Sequence, residues 1–279
     1  MNKTILITGT SSGYGKATAA HFLARGWNVV ATMRRPDASL FAASDRLKLL
    51  PLDITDPASI ELALTDAVDA FGALDVLVNN AGIGLASIVE ATQDAIVREV
   101  FETNTFGTIA ACRAVIPLMR RQGGGTIVNV TSSTTLGVMP LVAVYAASKC
   151  AIEGFTESLF YELEPFNIRT RLVEPGYAPT TSFAANGGPR MAGLIPADYE
   201  AFAQACFGKM ANYPTPYCTE AEVAEAVFNA ATETGDGIRY PAGPDSKLLA
   251  ELRWTTSEEH YLAKMREMFR PELDVGAAG

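Results

Sequence analysis

Seven short apolar runs, rich in β-branched residues, alternate along the chain with longer segments of helical character. They occupy residues 4–8, 28–32, 47–52, 76–79, 126–130, 168–173 and 238–240. A helical or mixed segment follows each of the first six runs, and this repeat predicts an α/β fold whose parallel sheet is covered on both faces. Such a sheet binds ligands beyond the carboxyl ends of its strands, where the strand order reverses. We therefore expect the functional residues directly after the strands.

Composition narrows the class of protein. The chain has 279 residues, of which 48% are hydrophobic, and no linker-like segment or internal repeat divides it, so one domain spanning residues 1–279 is predicted. The net charge of -9 and the pI near 4.8 argue against nucleic-acid binding, which needs a basic face. The first apolar run is too short for a signal peptide or a membrane span, which predicts a cytoplasmic protein. Four cysteines and two histidines without ligand spacing predict neither a disulfide framework nor a metal site.

The segment TGTSSGYG, residues 8–15, follows the first predicted strand and opens a helix. Glycines at positions 9, 13 and 15 permit a tight turn and a close backbone approach. The N-terminus of the helix offers free N–H groups and a positive dipole end to a pyrophosphate. A glycine-rich turn without a ligand is the alternative, but the strand before it and the helix after it favour phosphate binding.

The segment YAASK places Tyr145 and Lys149 four residues apart in a helix-forming run. Side chains at this spacing lie one above the other on a helix, so the ammonium of Lys149 can approach the phenol. An ordinary solvated pair has the same spacing. The surrounding motifs decide between the two interpretations.

These motifs resemble the short-chain dehydrogenase/reductase family. The TGxxxGxG spacing, the NNAG sequence at residues 79–82, the YxxxK pair and EPGYAPT at residues 174–180 all match it, and the resemblance runs from residue 4 to about residue 180. It implies a single-domain Rossmann fold, a doubly wound and mostly parallel seven-stranded sheet with helices on both faces. The sequences VEPGY and YAASKCAIEG look most like the branch that contains 17β-hydroxysteroid and retinol dehydrogenases.

By this resemblance, Asn104, Ser132, Tyr145 and Lys149 form the catalytic tetrad, and Ser132 precedes Tyr145 by the expected thirteen residues. Tyr145 would supply the proton, Lys149 would favour the phenolate and grip the nicotinamide ribose, and Ser132 would hydrogen-bond the substrate oxygen. Asn104 would hold a water connected to Lys149. Ser133 is a rival for the serine role, and a solvent-facing amide is the alternative for Asn104.

The resemblance also implies a set of cofactor-binding residues. They are Gly9, Thr10, Ser11, Ser12, Gly13, Tyr14, Gly15, Arg34, Asp53, Ile54, Asn80, Ala81, Gly82, Tyr145, Lys149, Pro175, Gly176 and Thr180. Met33 occupies the position where an acid would bind the ribose of NAD, and Arg34 follows it. An arginine in place of the acid suits a 2′-phosphate, so NADP(H) is predicted over NAD(H). Solvated loop charges at Arg34 and Arg35 are the alternative, and Ser12 leaves the glycine loop without the basic residue that many NADP-dependent members carry.

The remaining segments bear on the substrate. Residues 181–218 are apolar and broken by turns, which predicts either a second small core or a lid over a hydrophobic ketone, aldehyde or alcohol. A helical extension is predicted over residues 246–279, with an amphipathic helix near 257–269 that could pack at a subunit boundary. Family members are commonly dimers or tetramers, so we expect a homo-oligomer.

Two further functions share this fold. A nucleotide-sugar epimerase or dehydratase usually carries TGxxGxxG and a longer chain, and a non-catalytic NADP-sensing protein typically loses the tyrosine or lysine. This chain carries TGxxxGxG and keeps both Tyr145 and Lys149, so the motifs, rather than the shared fold, disfavour the two alternatives.

Overall fold

The computed structural model describes residues 2–178, 190–211 and 216–271. Seven strands form one sheet: β1 (Thr4–Thr8), β2 (Asn28–Met33), β3 (Leu47–Pro51), β4 (Val76–Asn79), β5 (Gly125–Val130), β6 (Ile168–Pro175) and β7 (Arg239–Ala242). Their order is β3-β2-β1-β4-β5-β6-β7, and every neighbouring pair is parallel. The doubly wound Rossmann prediction is confirmed, and these strands are all parallel rather than mostly so. The order reverses between β1 and β4, which is where such sheets bind ligands.

Helices cover both faces of the sheet. They are α1 (Gly13–Ala24), α2 (Pro57–Phe71), α3 (Asp94–Phe101), α4 (Gly107–Arg121), α5 (Ala143–Leu163), α6 (Glu200–Ala211), α7 (Glu220–Thr232), α8 (Pro244–Thr255) and α9 (Glu258–Phe269). Because alternate strand side chains point to opposite faces, Leu6 packs with α2, α4 and α5, whereas Ile5 and Ile7 pack with α1 and α7. The central strands are therefore buried on both faces of the sheet. No helix in the described ranges is long and apolar enough to cross a bilayer.

A short π-helical segment, Glu102–Phe106, joins α3 to α4. Its hydrogen bonds span five residues instead of four, so one residue is inserted into the helical path. Asn104 lies at the centre of this segment and is 1% exposed. Such bulges occur frequently at functional sites.

A buried polar chain crosses the centre of the sheet. Asn79 of β4 donates to the Oδ1 atom of Asn129 at 2.8 Å, and Asn129 of β5 donates to the hydroxyl of Thr156 in α5 at 2.9 Å. The two asparagines are register partners. If β4 shifted by one residue relative to β5, one of the two asparagines would point to the other face and buried amides would lose their partners. These hydrogen bonds therefore fix the register of β4 with β5.

The carboxyl-terminal helices pack beside the segment that follows β5. Tyr261 of α9 is 3% exposed; its hydroxyl donates to the carbonyl oxygen of Leu136 at 2.9 Å and accepts from the N–H of Val138 at 3.1 Å. Leu249 of α8 lies against Gly137, where an added Cβ would approach the Leu249 side chain to 2.8 Å. The amphipathic helix expected at 257–269 is therefore observed and packs within the same chain.

We expect Tyr261→Phe to lower the free energy of unfolding by about 1–3 kcal/mol, because two backbone groups lose their shared partner. Urea denaturation of both proteins measures this loss. Tyr161→Phe is the matched control, since Tyr161 is 74% exposed and its substitution should change stability by less than about 0.5 kcal/mol. Equal effects of the two substitutions would contradict a structural role for the Tyr261 hydroxyl.

Candidate active site

The glycine segment after β1 lies against the segment after β4. Gly9 has a φ of 73°, and a Cβ atom built on it would lie 2.8 Å from the Cα of Ala81. A Cβ on Gly15 would collide with the carbonyl oxygen of Gly9. Both positions therefore need glycine, one for its conformation and its neighbour, the other for close packing. The turn is fixed at the point where the strand order reverses.

The N-terminus of α1 suits an anionic ligand. Ser12 occupies the N-cap position, yet its side chain makes no capping hydrogen bond, and no acidic residue stands in the first turn. The first N–H groups and the positive end of the helix dipole can therefore bind a phosphate group. The hydroxyl of Tyr14 donates to the carbonyl oxygen of Gly176 at 2.8 Å, which ties this turn to the end of β6. Burial raises the pKa of Tyr14 above its ordinary value.

The NNAG segment is held by the end of β1. The hydroxyl oxygen of Thr8 accepts from the N–H groups of Asn80 and Ala81, each at 3.0 Å. The Asn80 amide donates in return to the carbonyl oxygens of Thr8 at 2.9 Å and Gly9 at 3.1 Å. These four bonds join the two predicted cofactor-binding segments into one rigid surface. Thr8 opens the TGxxxGxG motif but was not among the predicted cofactor-binding residues, and its hydrogen bonds with Asn80 and Ala81 give it a structural role between the two segments.

Asn104 is not a solvent-facing amide. Its Oδ1 atom accepts from the N–H of Ile83 at 2.8 Å, and its Nδ2 atom donates to the carbonyl oxygen of Ile83 at 2.9 Å and to the Ser148 hydroxyl at 3.1 Å. The Ser148 hydroxyl donates to the carbonyl oxygen of Tyr145 at 2.7 Å. Asn104 thus connects the segment after β4 to the first turn of α5. Gly82 lies next to Asn104, because a Cβ added there would come within 3.2 Å of Asn104 Oδ1 and within 3.4 Å of Lys149 Nζ.

Ser132 and Tyr145 are hydrogen-bonded to each other through their side chains. Both are buried, with exposures of 8% and 7%. Ser132 is also the N-cap of the short turn Ser133–Thr135, and its hydroxyl accepts from the N–H of Thr134 at 3.2 Å. Ser133 is also buried within that turn, but the side-chain hydrogen bond with the phenol comes from Ser132, the residue predicted by spacing.

The pKa of Tyr145 departs from the expected direction. Burial raises it to about 12, and the hydrogen bond with Ser132 lowers it only partly. We expected Lys149 to favour the phenolate; in this structure burial of the phenol decides the direction, and the ammonium group of Lys149 donates to the carbonyl oxygen of Val130 at 3.0 Å. Burial lowers the pKa of Lys149 to about 8, with Glu153 acting in the opposite direction. At neutral pH the phenol therefore keeps its proton beside a mostly charged lysine.

The residues predicted to bind the adenosine part follow two neighbouring strands. Arg34 follows β2 directly and is exposed, whereas Met33 is 4% exposed at the end of the strand. Asp53 follows β3, and hydrogen bonds from Thr55 hold its pKa below the ordinary value, with the charge of Arg34 acting in the same direction. Ile54 is buried. Thr10 continues this edge, because its N–H and its hydroxyl both donate to the carbonyl oxygen of Thr32.

The end of β6 forms the opposite wall. Gly176 donates its N–H to the carbonyl oxygen of Ala242 at 2.9 Å, and a Cβ on it would collide with the buried carboxylate of Asp245. Asp245 in turn accepts from the N–H of Tyr177 at 2.9 Å. Pro175 and Gly176 therefore have a fixed backbone, and Asp245 is a further residue that sequence reasoning missed. Thr180 lies outside the described residues.

An apolar cluster packs around Tyr145. Leu85, Val100 and Leu194 are its buried members, and Met191 borders it. The carbonyl oxygen of Leu194 accepts from the N–H of Ile88 at 3.0 Å, so the chain after residue 190 lies directly over this part of the site. The predicted segment 181–218 is thus apolar where it meets the tyrosine. Residues 181–189 and 212–215 of that segment lie outside the described ranges.

These residues fit a bound nicotinamide dinucleotide, since a phosphate-binding helix end, a close-packed glycine turn and a buried tyrosine-lysine pair lie along one sheet edge. Residues 3–189 match the short chain dehydrogenase family. The chain belongs to this family. The membership confirms the resemblance and makes the protein an oxidoreductase of the short chain dehydrogenase type.

Relatives of this short chain dehydrogenase support the assignment. The chain is 38% identical over 267 residues to the uncharacterized oxidoreductase YusZ of Bacillus subtilis, and the alignment covers 91% of this chain and 94% of that protein. It is 41% identical over 184 residues to human retinol dehydrogenase 8, covering 62% of this chain and 58% of the relative. The predicted likeness to the retinol dehydrogenase branch is therefore supported at the level of sequence.

Solved structures show the same fold with both kinds of cofactor. The structure of ElxO with NADP bound has a TM-score of 0.72 and 27% identity, covering 86% of this chain and 96% of that one. A 3-ketoacyl-(acyl-carrier-protein) reductase from Brucella melitensis complexed with NADH has a TM-score of 0.71 and 25% identity, covering 88% and 98%. The short chain dehydrogenase described here is therefore expected to use a nicotinamide cofactor.

Proposed function

We propose that the protein is an NADP(H)-dependent reductase of a hydrophobic ketone or aldehyde, with Tyr145 as the proton donor. The observation that carries the proposal is the buried phenol of Tyr145, hydrogen-bonded to Ser132 and surrounded by apolar side chains. A charged or strongly hydrated substrate would lose its hydration beside this cluster without compensation. An apolar carbonyl compound would not.

When bound, the cofactor supplies the hydride. The chain's own residues then handle the charge that develops on the substrate oxygen. The Ser132 hydroxyl donates a hydrogen bond to that oxygen, and Tyr145 transfers its proton to it. The pKa of Tyr145 near 12 keeps the phenol protonated until the developing alkoxide, a stronger base, draws the proton away. The charge of Lys149 stabilises the phenolate left behind.

Arg34 supports the choice of NADP(H). It stands directly after β2 with an exposed side chain, next to a buried methionine in place of an acid. A guanidinium in this position can bind a 2′-phosphate by paired hydrogen bonds and stack on adenine. The two carboxylates that interact with the charge of Arg34 have partners of their own: Arg190 pairs with Glu99 at 2.8 Å, and the Thr55 hydroxyl donates to Asp53 at 2.7 Å. The charge of Arg34 remains available to a ligand.

We expect Arg34→Ala to weaken NADPH binding by about ten- to a hundred-fold and to leave NADH binding nearly unchanged, since a charge-assisted hydrogen bond contributes ~1.5–3 kcal/mol. Fluorescence titration of both cofactors against both proteins measures the effect. Arg35→Ala is the matched control, because Arg35 is the neighbouring arginine and is also exposed. Tighter binding of NADH by the wild type, or an equal loss for both cofactors in the variant, would contradict the NADP(H) assignment.

The substrate class is tested by following NADPH oxidation with a panel of ketones, aldehydes and steroids, with small polar carbonyl compounds as the comparison. We expect turnover to rise with the apolar area of the substrate. Uniform activity, or a preference for the polar members, would contradict a hydrophobic substrate.

We also propose a homo-oligomer, a dimer or tetramer, in the cytoplasm, folded as a single domain. Large apolar side chains on the surface support the first point: Phe106 and Trp254 are 54% and 58% exposed. Light scattering in solution tests it, and a monomer at micromolar concentration would refute it.

A further inference from the structure

Four side chains form one row along α5. They are Tyr145, Lys149, Glu153 and Glu157, each four residues from the next. Neighbours at this spacing lie one above the other on a helix. The first three are buried, whereas half of the Glu157 side chain is exposed. The proposed proton donor and its lysine are therefore continued by a buried carboxylate that the proposed reaction does not use.

Arg239 of β7 balances the acidic end of this row. Its Nη1 atom donates to Glu153 Oε2 and to Glu174 Oε1, and its Nη2 atom donates to Glu157 Oε1 at 2.7 Å. The ring of Trp254 covers the guanidinium, with its centroid 5.0 Å from the Arg239 Cζ atom. A buried carboxylate requires such a partner. One cation thus holds three carboxylates, two of which are enclosed in the protein.

The other oxygen of Glu153 faces the segment that carries Ser132. The Thr131 hydroxyl donates to Glu153 Oε1 at 2.6 Å. The Thr135 hydroxyl lies 3.1 Å from the same oxygen and 2.7 Å from the carbonyl oxygen of Ser132. Ser132 lies between these two threonines. Glu153 therefore connects the helix of Tyr145 and Lys149 to the turn that presents Ser132.

Resting on the function proposed above, we infer that Glu153 is a positioning residue: it fixes the Ser132 turn relative to Tyr145 and stabilises the ammonium of Lys149. It touches neither substrate nor cofactor in this role. Its effect on catalysis passes through Thr131 and Lys149.

The negative charge of Glu153 favours the protonated form of Lys149. It raises the pKa of the ammonium group, against the burial that lowers this pKa to about 8. The other charged groups around the row are Glu157, Glu174, Arg239 and, near Cys150, Arg253. Removing the charge of Glu153 leaves burial unopposed, so Lys149 would lose its proton at a lower pH. The alkaline limb of the activity profile would move in the same direction.

Two variants separate the contacts of Glu153 from its charge. We expect Glu153→Gln to lower kcat by about ten- to a hundred-fold, in the range caused by small misplacements of reacting groups, and to shift the alkaline limb of kcat to lower pH by about half a unit or more. Thr131→Val removes the hydrogen bond from Thr131 to Glu153 without a change in charge. It should therefore lower kcat about ten-fold and leave the alkaline limb of the kcat profile unshifted.

Glu157→Gln is the matched control. This substitution removes the ion pair of Glu157 with Arg239, but Glu157 does not contact the turn that carries Ser132. We therefore expect kcat to stay within about twofold of the wild-type value and the alkaline limb to stay within about 0.2 pH units. A Glu153→Gln variant that keeps more than half of the wild-type kcat with an unshifted limb overturns the inference, as does an equal loss in Glu157→Gln. If Glu153→Gln does not fold, Thr131→Val decides, and wild-type kcat in that variant overturns the inference. Absence of turnover by the wild type on every carbonyl compound would instead refute the proposed function.

Discussion

Replacing Tyr145 with phenylalanine should reduce kcat by about 10²- to 10⁴-fold while NADPH binds with nearly unchanged affinity, since positioned proton transfer contributes a factor of this size. The substitution removes only the phenolic oxygen. The ring keeps its packing against Leu85 and Leu194, so the apolar cluster around it should persist. Single-turnover measurements with saturating NADPH would separate the chemical step from binding.

Tyr161→Phe is the control for this experiment. Tyr161 lies on the same helix as Tyr145 and is 74% exposed, so loss of its hydroxyl should leave kcat unchanged. Retention of more than about a tenth of kcat in Tyr145→Phe would show that another group or a water supplies the proton. Weakened NADPH binding in that variant would point to a direct cofactor contact of the phenol.

Ser132→Ala should lower kcat by about 10²-fold or more, in the range observed for single donors to a developing oxyanion. The structure supplies a close comparison, because Ser133 is adjacent and also buried, whereas the hydrogen bond that lowers the pKa of Tyr145 is the one with Ser132. Ser133→Ala should therefore be mild. Steady-state kinetics on the three proteins measures both effects, and the reverse order would assign the donor to Ser133.

The N-cap role of Ser132 adds a structural cost that must be separated from catalysis. Its hydroxyl accepts from the N–H of Thr134, and losing an N-cap costs about 1 kcal/mol. Ser132→Thr keeps a hydroxyl that can cap the turn and donate to the substrate. Partial recovery of kcat in this variant, with stability near that of the wild type, would attribute the loss in Ser132→Ala to the missing donor.

The elements predictable from sequence are those specified by local patterns. Alternating strands and helices gave the sheet, and the glycines at positions 9 and 15 gave the turn, because each depends on nearby residues. The spacing of Ser132 from Tyr145 predicted Ser132 for the serine role, and the turn and α5 bring these two side chains into hydrogen-bonding contact. These features need no knowledge of distant packing.

What sequence could not show depends on burial and on long-range contacts. The raised pKa of Tyr145 follows from its enclosure, which no i,i+4 pattern reports. Lys149 turned to the carbonyl oxygen of Val130, nineteen residues away, rather than only toward its helical neighbour. Glu153 and Arg239 form a hydrogen-bonded ion pair although they are 86 residues apart in the sequence. The sequence pattern predicts Arg239 only as a member of a short final strand. Their pairing is a property of the sheet order.

The π-helical segment Glu102–Phe106 has a consequence for how the chain tolerates length changes. Each residue advances an α-helix by about 100°, so the inserted residue sets α3 and α4 out of angular phase by roughly that amount. Deleting one residue here would restore an uninterrupted helix, but it would rotate Asn104 away from Ile83 or turn the apolar face of α4 away from the sheet. Substitutions in this segment preserve that phase, whereas single-residue insertions and deletions cannot. Variation in length among functional versions of this chain should therefore be confined to the loops on either side.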